Sequence, residues 1–308
     1  MRILITGISG FVGGHLVEAL AGSHALAGIS RKPNPTIPAE LFLGELTDTA
    51  RVEEIVRAFQ PEWLIHLAGY ANTGGSFKEP EACWRDNLAA TRSLYDAVAR
   101  TELRPRILFV STGLIYGDPD EPGQPCDERT TLKPASPYAA SKAAADLLSY
   151  QYTRNPGLDI VRIRLFNQIG PRQSPDYAVA NFARQIAAIE AGQQPPRIET
   201  GDLSAQRDIT DVRDTVAAFP LLLEKGINGE AYNAGRGETY SMHDILDRLL
   251  ALSKVKVEVI QKFDRKADTA VTKADTGKLR RTTGWEPRIS LDETLTAILN
   301  TWRQPSSN

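Results

Sequence analysis

The chain has 308 residues, of which 42 % are hydrophobic and 24 % charged, and its formal net charge is −2. This composition is typical of one large globular domain or two coupled ones, and the lack of a basic excess argues against a nucleic-acid partner. No apolar run approaches the ~20 residues that a membrane span needs. Residues 1–7 predict a strand followed by a glycine turn rather than a cleavable signal peptide.

Cysteine and histidine usage gives no sign of a disulfide or a metal site. Cys83 and Cys126 form no C-x-x-C motif and have no histidine close by in sequence, so we expect free thiols in a cytoplasmic protein. The histidines are scattered without the spacing of metal ligands, and we therefore expect no metal site. They are His15, His24, His66 and His243.

Short apolar runs alternate with helical patterns through the first half of the chain. The runs predict buried strands at residues 2–6, 25–30, 62–69, 106–112 and 159–166. Helices are predicted between them at residues 11–21, 50–60, 81–100 and 137–153. Because the runs are apolar on both faces, they are typical of a parallel sheet covered by helices on each side. The pattern predicts an α/β fold with a doubly wound parallel sheet, the Rossmann arrangement.

The pattern changes after residue 166, where long polar connections separate predicted helices at 178–191, 211–225 and 240–253. We expect a Rossmann domain at 1–166 and a smaller α+β substrate domain that takes most of 167–308. Residues near 208–236 are expected to return to the large domain, so the boundary is not one clean cut.

A glycine-rich turn follows the first predicted strand, with Gly7, Gly10 and Gly13 three residues apart. Such a turn lets backbone amides approach a pyrophosphate at the positive end of the next helix. A glycine turn alone often only ends a strand. Here it leaves a strand and opens an amphipathic helix that begins with Phe11 and Val12, and this context predicts dinucleotide binding.

The end of the second predicted strand bears on which dinucleotide binds. An acidic residue there would hold the ribose 2′-hydroxyl of NAD, but the chain offers Ser30, Arg31 and Lys32. Two cations and a hydroxyl suit a 2′-phosphate, which favours NADP over NAD. The alternative is that these side chains merely line a solvated loop. Glu45 and Leu46, after the next short strand, are candidates to border the adenine.

Tyr138 and Lys142 lie four residues apart on a predicted helix that Ser136 would cap, so their side chains share one face. Alone, they could be an inconsequential surface pair. The preceding strand, however, ends with Ser111 and Thr112, at the edge where open α/β sheets bind ligands. There the lysine ammonium would lower the tyrosine pKa toward neutrality and make the phenol a general acid or base.

Several motifs in the expected order resemble those of the extended short-chain dehydrogenase/reductase family over nearly the whole chain. They are "TGISGFVG", "HLAG", "NLAAT", "STGLIYG", "SPYAASK", "RLFNQIGP", "RDITDVRD" and "TGWEP". The resemblance implies a nucleotide-sugar substrate, Tyr138 as acid/base, Lys142 on the nicotinamide ribose and Thr112 on the reacting oxygen. It also implies a homodimer built on helices 81–100 and 137–153. Further cofactor contacts are expected from Leu67, Ala68, Gly69 and Leu165.

The second half is most similar to the GDP-4-keto-6-deoxy-mannose reductases of that family. This resemblance implies substrate contacts by Asn167 and Arg207, with Arg265 as a further cation. Arg172 is a further candidate for substrate binding, although it stands where glycine is common in those reductases. For each arginine the alternative is an ordinary surface ion pair.

A second departure concerns dehydration. Related 4,6-dehydratases carry an acid two positions beyond the threonine, whereas the residues after Thr112 are Gly113 and Leu114, which cannot transfer a proton. We therefore expect no dehydratase activity.

Three functions remain open. The favoured one is NADPH-dependent reduction of GDP-4-dehydro-6-deoxy-D-mannose to GDP-D-rhamnose. The second is a nucleotide-sugar 4-epimerase with tightly bound NAD, which would use the same residues. The third is a non-catalytic NADP-binding sensor, against which the complete set of Thr112, Tyr138 and Lys142 argues.

Overall fold

The architecture comes from a computed structural model that describes residues 1–118, 123–262 and 271–304. Twelve strands occur in this described part of the chain. In chain order they are β1 (Arg2–Thr6), β2 (Ala25–Ser30), β3 (Glu40–Leu43), β4 (Trp63–His66), β5 (Arg106–Thr112), β6 (Ile160–Leu165), β7 (Asn167–Ile169), β8 (Arg197–Thr200), β9 (Gln206–Asp211), β10 (Ala231–Ala234), β11 (Thr239–Ser241) and β12 (Glu258–Gln261).

The helices share the same described ranges. They are α1 (Phe11–Leu20), α2 (Thr49–Phe59), α3 (Pro80–Cys83), α4 (Ala90–Ala99), α5 (Pro137–Arg154), α6 (Ala178–Glu190), α7 (Val212–Lys225), α8 (Met242–Ala251), α9 (Gly277–Thr283) and α10 (Leu291–Arg303). Two single turns of 3₁₀ helix occupy Gly75–Phe77 and Gly113–Tyr116, and a π-helical segment, Trp84–Ala89, joins α3 to α4.

Seven parallel strands form the main sheet in the order β10-β6-β5-β4-β1-β2-β3. The predicted doubly wound parallel sheet is therefore confirmed. Alternate side chains of β1 enter opposite cores: Ile3 and Ile5 pack on the side of α1 and α7, whereas Leu4 packs on the side of α2, α4 and α5. Burial on both faces explains the apolar runs in the sequence.

Four of the five predicted strands match the observed ones within one residue, and the fourth strand is shorter than predicted. It ends at His66 rather than at Gly69. Leu67, Ala68 and Gly69 leave the sheet and line a cleft at its edge. A side chain at Gly69 would overlap the amide oxygen of Asn87, so the close approach of these two segments requires glycine.

The helix predicted at 81–100 consists of three consecutive segments, which are α3, the π-helical segment and α4. π-Helical segments add a residue to a turn and often occur at functional sites. The start of α5 is as predicted. Ser136 caps it by accepting a 3.1 Å hydrogen bond from the Ala139 amide, and Pro137 occupies the first turn.

Residues 212–234 return to the main sheet after the chain has visited the smaller region. Val216 and Phe219 of α7 share a core with Leu16 of α1, and β10 pairs with β6 as the sheet's last strand. The smaller region has a core under α6, α8 and α10, with one sheet of β11-β9-β7 and another of β12-β8. The division of the chain into two domains at residue 166 stays a prediction.

The structure also bears on membrane-spanning helices and on the two cysteines. Within the described ranges, no helix combines the length and the apolarity that a bilayer crossing would need. Cys83 and Cys126 are both buried free thiols, as predicted from their spacing.

Candidate active site

A cleft of about 830 Å³ opens at the carboxyl ends of the central strands. The chain runs from β1 outward to β2 and β3, then returns to β4 on the other side of β1. Loops leaving β1 and β4 therefore diverge and leave a crevice between them, which is where open α/β sheets bind ligands. The cleft is lined by the glycine turn after β1, the ends of β4, β5 and β6, and the start of α5.

The glycine turn is shaped to let another backbone come close. Gly7 has a φ of +73°, and a side chain there would lie 2.7 Å from the Ala68 amide nitrogen. A side chain at Gly13 would lie 2.7 Å from the Ile8 carbonyl oxygen, so α1 could not sit so tightly against the turn. Phe11 and Val12 open α1 beside Gly10, and all of them line the cleft. The positive end of α1 thus faces a space that suits a diphosphate.

The far end of the cleft contains the residues predicted to choose the cofactor. Ser30, Arg31, Glu45 and Leu46 line it, and the Arg31 side chain is exposed. Lys32 is absent from this lining. The Ser30 hydroxyl donates a 2.7 Å hydrogen bond to the carbonyl oxygen of Lys32, which closes a tight turn there. Contact between Lys32 and the cofactor stays a prediction.

Thr112, Tyr138 and Lys142 line one cleft, together with the predicted Leu165. Thr112 is the last residue of β5, and its hydroxyl accepts a 3.2 Å hydrogen bond from the Leu114 amide. The Lys142 ammonium donates a 2.6 Å hydrogen bond to the Val110 carbonyl oxygen. Strand β5 and helix α5 therefore place a hydroxyl, a phenol and an ammonium at the same edge of the sheet.

The ionisation of these groups differs from the sequence-based expectation. Burial raises the pKa of Tyr138 to about 12, and a hydrogen bond with Thr112 opposes that rise. The expected lowering toward neutrality is wrong for this structure, because the Lys142 ammonium lies on the Val110 carbonyl and 4.7 Å from the ring centroid of Phe109. Burial lowers the pKa of Lys142 to about 8, while the negative charge of Asp146 raises it.

Asp146 anchors a buried ion network one turn of α5 beyond Lys142. Its carboxylate accepts hydrogen bonds of 2.6 Å from Arg162 and of 2.9 and 3.1 Å from Arg164. The two guanidinium groups lower the pKa of Asp146, so the carboxylate stays charged beneath the ammonium. Because all its members are buried and paired, the network fixes α5 against β6.

His66 is a structural residue under the cleft that the sequence analysis did not identify. The Thr91 hydroxyl donates its one hydrogen to the Asn87 carbonyl at 2.6 Å. It therefore accepts the 2.8 Å hydrogen bond that joins it to His66 Nε2. His66 Nδ1 then accepts from the Thr6 hydroxyl at 2.7 Å. Burial lowers the pKa of His66 to about 3, and the neutral ring joins β1, β4 and α4.

Asn87 of the π-helical segment also lines the cleft. Its side-chain nitrogen donates a 2.9 Å hydrogen bond to Ser141 of α5, and its buried amide oxygen has no hydrogen-bond partner. The motif "NLAAT" could have marked Asn87, but no helical periodicity predicts a π turn. Arg85 and Asp86 from the same segment lie on the cleft wall and pair with each other at 2.7 Å.

The residues predicted to bind substrate separate into two groups. Asn167 lines the cleft, and its side chain donates a 3.2 Å hydrogen bond to the Asp208 carbonyl. Arg207 is not among the residues that line it, and its guanidinium donates to the Gln206 carbonyl at 2.9 Å. Its contact with substrate stays a prediction. Arg265 lies outside the described residues.

Arg172 is also absent from the cleft lining. Its guanidinium pairs with Glu18 on the exposed side of α1, with one N–H···O distance of 2.7 Å. The ion-pair alternative considered for this arginine is the one the structure adopts.

Further polar side chains line the cleft without having been predicted, among them three from one segment of the chain. Gln168 and Gln173 follow Asn167 along the chain, and Tyr177 precedes α6. The signal that could have found them is their position in the segment that follows β6, where the chain passes the carboxyl edge of the sheet.

Comparison with known proteins decides the family. A sequence model of the GDP-mannose 4,6 dehydratase family matches residues 4–298. The chain belongs to this family, within the extended short-chain dehydrogenases/reductases. The predicted family is thereby confirmed, and with it an oxidoreductase-type enzyme.

Individual relatives cover nearly the whole chain. GDP-6-deoxy-D-mannose reductase from Pseudomonas aeruginosa is 33 % identical over 306 residues, which are 98 % of this chain and 97 % of the relative. The solved structure of RMD from Pseudomonas aeruginosa complexed with NADPH has a TM-score of 0.89 and 32 % identity, and covers 98 % of this chain and 99 % of that one. UDP-glucose 4-epimerase from Thermus thermophilus, solved with NAD, has a TM-score of 0.85 and 29 % identity over 98 % of this chain and 99 % of that one.

Proposed function

We propose that this protein is an NADPH-dependent reductase of a 4-keto-6-deoxy sugar nucleotide, with GDP-4-dehydro-6-deoxy-D-mannose as substrate and GDP-D-rhamnose as product. The observation that carries the proposal is the convergence of Thr112, Tyr138 and Lys142 in a cleft whose other end presents Arg31. The family match and the similarity to GDP-6-deoxy-D-mannose reductase support this choice of substrate.

The residues present fit a dinucleotide. Gly7 and Gly13 let the turn pack closely against Ala68 and Ile8, which leaves the start of α1 open to a diphosphate, and the exposed Arg31 would hold a 2′-phosphate. NADPH, when bound, supplies a hydride to the carbonyl carbon of the substrate. The Asn87 amide oxygen, buried without a partner at the cleft wall, is an acceptor available near the glycine-turn side of the site.

Tyr138 supplies the proton in this proposal. As the carbonyl carbon gains a hydride, its oxygen becomes an alkoxide, and the Tyr138 O–H bond breaks to give that oxygen its proton. Thr112 hydrogen-bonds with Tyr138 and would orient the same oxygen. Solvent then restores the proton of Tyr138.

Dehydration would need an acid or base near C5 and C6 of the sugar. Gly113 begins the turn after Thr112 and cannot carry a longer side chain, because even a methyl group would lie 2.9 Å from the Phe166 ring. Leu114 lines the cleft. Among the described lining residues the carboxylates are Glu45, at the predicted adenine end, and Asp86, which pairs with Arg85. These facts support reduction without dehydration.

The alternative is a nucleotide-sugar 4-epimerase that keeps NAD bound, and the similarity to the epimerase of Thermus thermophilus supports it. The two functions differ in a measurable way. A reductase consumes NADPH once for each substrate, whereas an epimerase is purified with NAD and shows no net oxidation of added cofactor. A non-catalytic sensor would do neither.

The decisive experiment supplies purified protein with NADPH and freshly generated GDP-4-dehydro-6-deoxy-D-mannose. We expect loss of NADPH absorbance and one equivalent of GDP-D-rhamnose, identified by chromatography and NMR. Tyr138→Phe protein is the control. Interconversion of a nucleotide sugar with its C4 epimer, in the absence of added NADPH, would instead establish the epimerase.

We also propose a homodimer that forms through α4 and α5. Leu147 and Tyr150 of α5 are 58 % and 46 % exposed, which is unusual for large apolar side chains on one helix face. Sedimentation velocity should give a dimer, and Leu147→Glu should give a monomer with the melting temperature otherwise retained within a few degrees. A cytoplasmic location stays a prediction.

A further inference from the structure

Residues 170–177 connect two walls of the cleft, and we refer to them as the strap. The first of them, Gly170, lies against Phe11 at the start of α1, since a side chain there would come within 3.5 Å of the Phe11 ring. The last, Tyr177, reaches Ala71 in the loop after β4. Phe11 and Ala71 both line the cleft, as does Gln173 in the middle of the strap.

The first end of the strap is fixed to α1 by two side chains. The Arg172 guanidinium pairs with Glu18 and also donates a 3.3 Å hydrogen bond to His15 Nδ1. His15 must therefore carry its hydrogen on Nε2, which donates at 2.9 Å to the Pro171 carbonyl. Burial lowers the pKa of His15, consistent with a neutral ring that joins both strap residues to α1.

The backbone of Arg172 is held in a conformation that favours glycine, with a φ of +66°. A non-glycine residue there is strained. This explains why glycine is expected at the position. The guanidinium of Arg172 contacts α1 even though its own backbone conformation disfavours a residue with a side chain. The guanidinium therefore acts as an anchor of the strap rather than as a ligand of the substrate.

At the second end, the backbone of Tyr177 is fixed as the N-cap of α6, and its carbonyl accepts a 2.9 Å hydrogen bond from the Asn181 amide. Only the Tyr177 side chain reaches the loop after β4: its hydroxyl donates one 3.2 Å hydrogen bond to the Ala71 carbonyl, while the residue is 41 % exposed. Tyr177 lines the cleft and lies near enough to Tyr138 to raise its pKa. A segment fixed at both ends, with one side-chain hydrogen bond to the loop after β4, describes a closure that can open at the contact between Tyr177 and Ala71.

We propose that Tyr177 is a positioning residue that closes the reacting end of the cleft, and that the strap must open at the contact between Tyr177 and Ala71 for cofactor to exchange. The claim about substrate rests on the proposed reductase function, whereas the claim about cofactor exchange does not. With the strap closed, the Tyr177 ring bounds the space in which the keto sugar meets Tyr138.

The test measures how fast bound NADPH leaves, by stopped-flow fluorescence after mixing with excess NADP. Tyr177→Phe removes only the hydrogen bond to Ala71, which should speed release about two- to tenfold. Arg172→Gly removes the anchor while suiting the backbone, and should speed release about two- to fivefold. Tyr177→Ala removes the ring as well, and should raise the KM for the keto sugar by a larger factor than it lowers kcat.

Matched controls change the same groups away from the strap. Tyr240→Phe removes a hydroxyl that bonds to Glu238, and Arg248→Ala removes an exposed ion pair with Asp292. Both should leave NADPH release unchanged, and melting temperatures show whether every variant is folded. Release rates of Tyr177→Phe and Arg172→Gly that both equal the rate of the unmodified protein would overturn the strap. Failure of the unmodified protein to reduce the keto sugar would overturn the proposed function and leave the release measurement standing.

Discussion

Lys142 donates its hydrogen bond to the backbone carbonyl of Val110, at 2.6 Å, from a buried position behind Tyr138. Burial of this ammonium lowers its pKa from 10.5 to about 8. A lysine whose pKa is lower in the folded protein than in the unfolded chain opposes folding while it is charged. The buried Lys142 ammonium therefore lowers the free energy of unfolding of the protein.

This relationship predicts that Lys142→Met is more stable than the unmodified protein at pH 7, by about 1–3 kcal/mol. The lost hydrogen bond to Val110 offsets part of the gain. Between pH 8 and 10.5 the unfolded lysine binds more protons than the folded one. The stability advantage of Lys142→Met is therefore complete below pH 8 and disappears as the pH rises through 10.5. Urea unfolding at both ends of that range measures it. Exposed Lys32→Met is the control, and a Lys142→Met protein that is less stable at pH 7 would contradict the argument.

Tyr138→Phe keeps the aromatic ring and removes the transferable proton. General acid catalysis typically contributes ~10²–10⁴-fold, so kcat should fall by about that factor. NADPH affinity should change little, because the glycine turn at Gly7 and Gly13 forms the diphosphate cradle. Steady-state kinetics and fluorescence titration give the two numbers. Near-normal turnover by this variant would remove Tyr138 from the mechanism.

Arg31 and Lys32 offer a matched pair for cofactor choice. Arg31 lines the cleft and its neighbour does not, so Arg31→Ala should erase most of the preference for NADPH over NADH, while Lys32→Ala should keep it. The ratio of the two dissociation constants, measured by titration at constant ionic strength, tests both variants. Equal affinity of the unmodified protein for NADPH and NADH would show that the cation has no such role.

Gly13 and Gly14 are adjacent in α1 yet differ in the space around them. A methyl group at Gly13 would press on the Ile8 carbonyl at 2.7 Å, whereas one at Gly14 meets nothing within 4 Å. We expect Gly13→Ala to lower stability and weaken NADPH binding, since α1 must move away from the turn. Gly14→Ala should bind NADPH normally and gain roughly 0.5–1 kcal/mol, because alanine favours helix. Thermal melts with and without NADPH compare them.

Dehydratase activity should be absent. Incubation of the protein with GDP-mannose and NADP should give no 4-keto-6-deoxy product, because Gly113 and Leu114 stand where a proton-transfer group would be needed. Mass spectrometry of the nucleotide fraction tests this directly. A product lighter than GDP-mannose by one water would show that another group in the cleft moves the proton.

The sequence predicted those parts of the site that depend on local pattern. Tyr138 and Lys142 share a helix face, and Thr112 ends a buried strand, so periodicity and chain order were enough to bring them together. The glycine spacing likewise predicted the turn before α1. These features need no knowledge of what packs against them.

The remaining features depend on tertiary contacts. Arg172 looked like a substrate ligand, but α1 presents Glu18 to it from 154 residues away. The pKa of Tyr138 was predicted in the wrong direction, because the carbonyl that attracts the Lys142 ammonium belongs to β5. The π turn that carries Asn87 has no period of its own in the sequence, and Tyr177 reaches the cleft only through the path of the strap.

The last strand of the main sheet, β10, comes from residues made long after those of its neighbour β6. During synthesis, the chain up to residue 166 would expose the open edge of β6 and the face of α1 that α7 later covers. An exposed edge of this kind pairs readily with other chains. We therefore expect the edge of β6 to stay unpaired in a nascent chain until about residue 234 has emerged. For the same reason, an expression fragment cut at residue 166 should aggregate, and the shortest useful fragment must reach past β10.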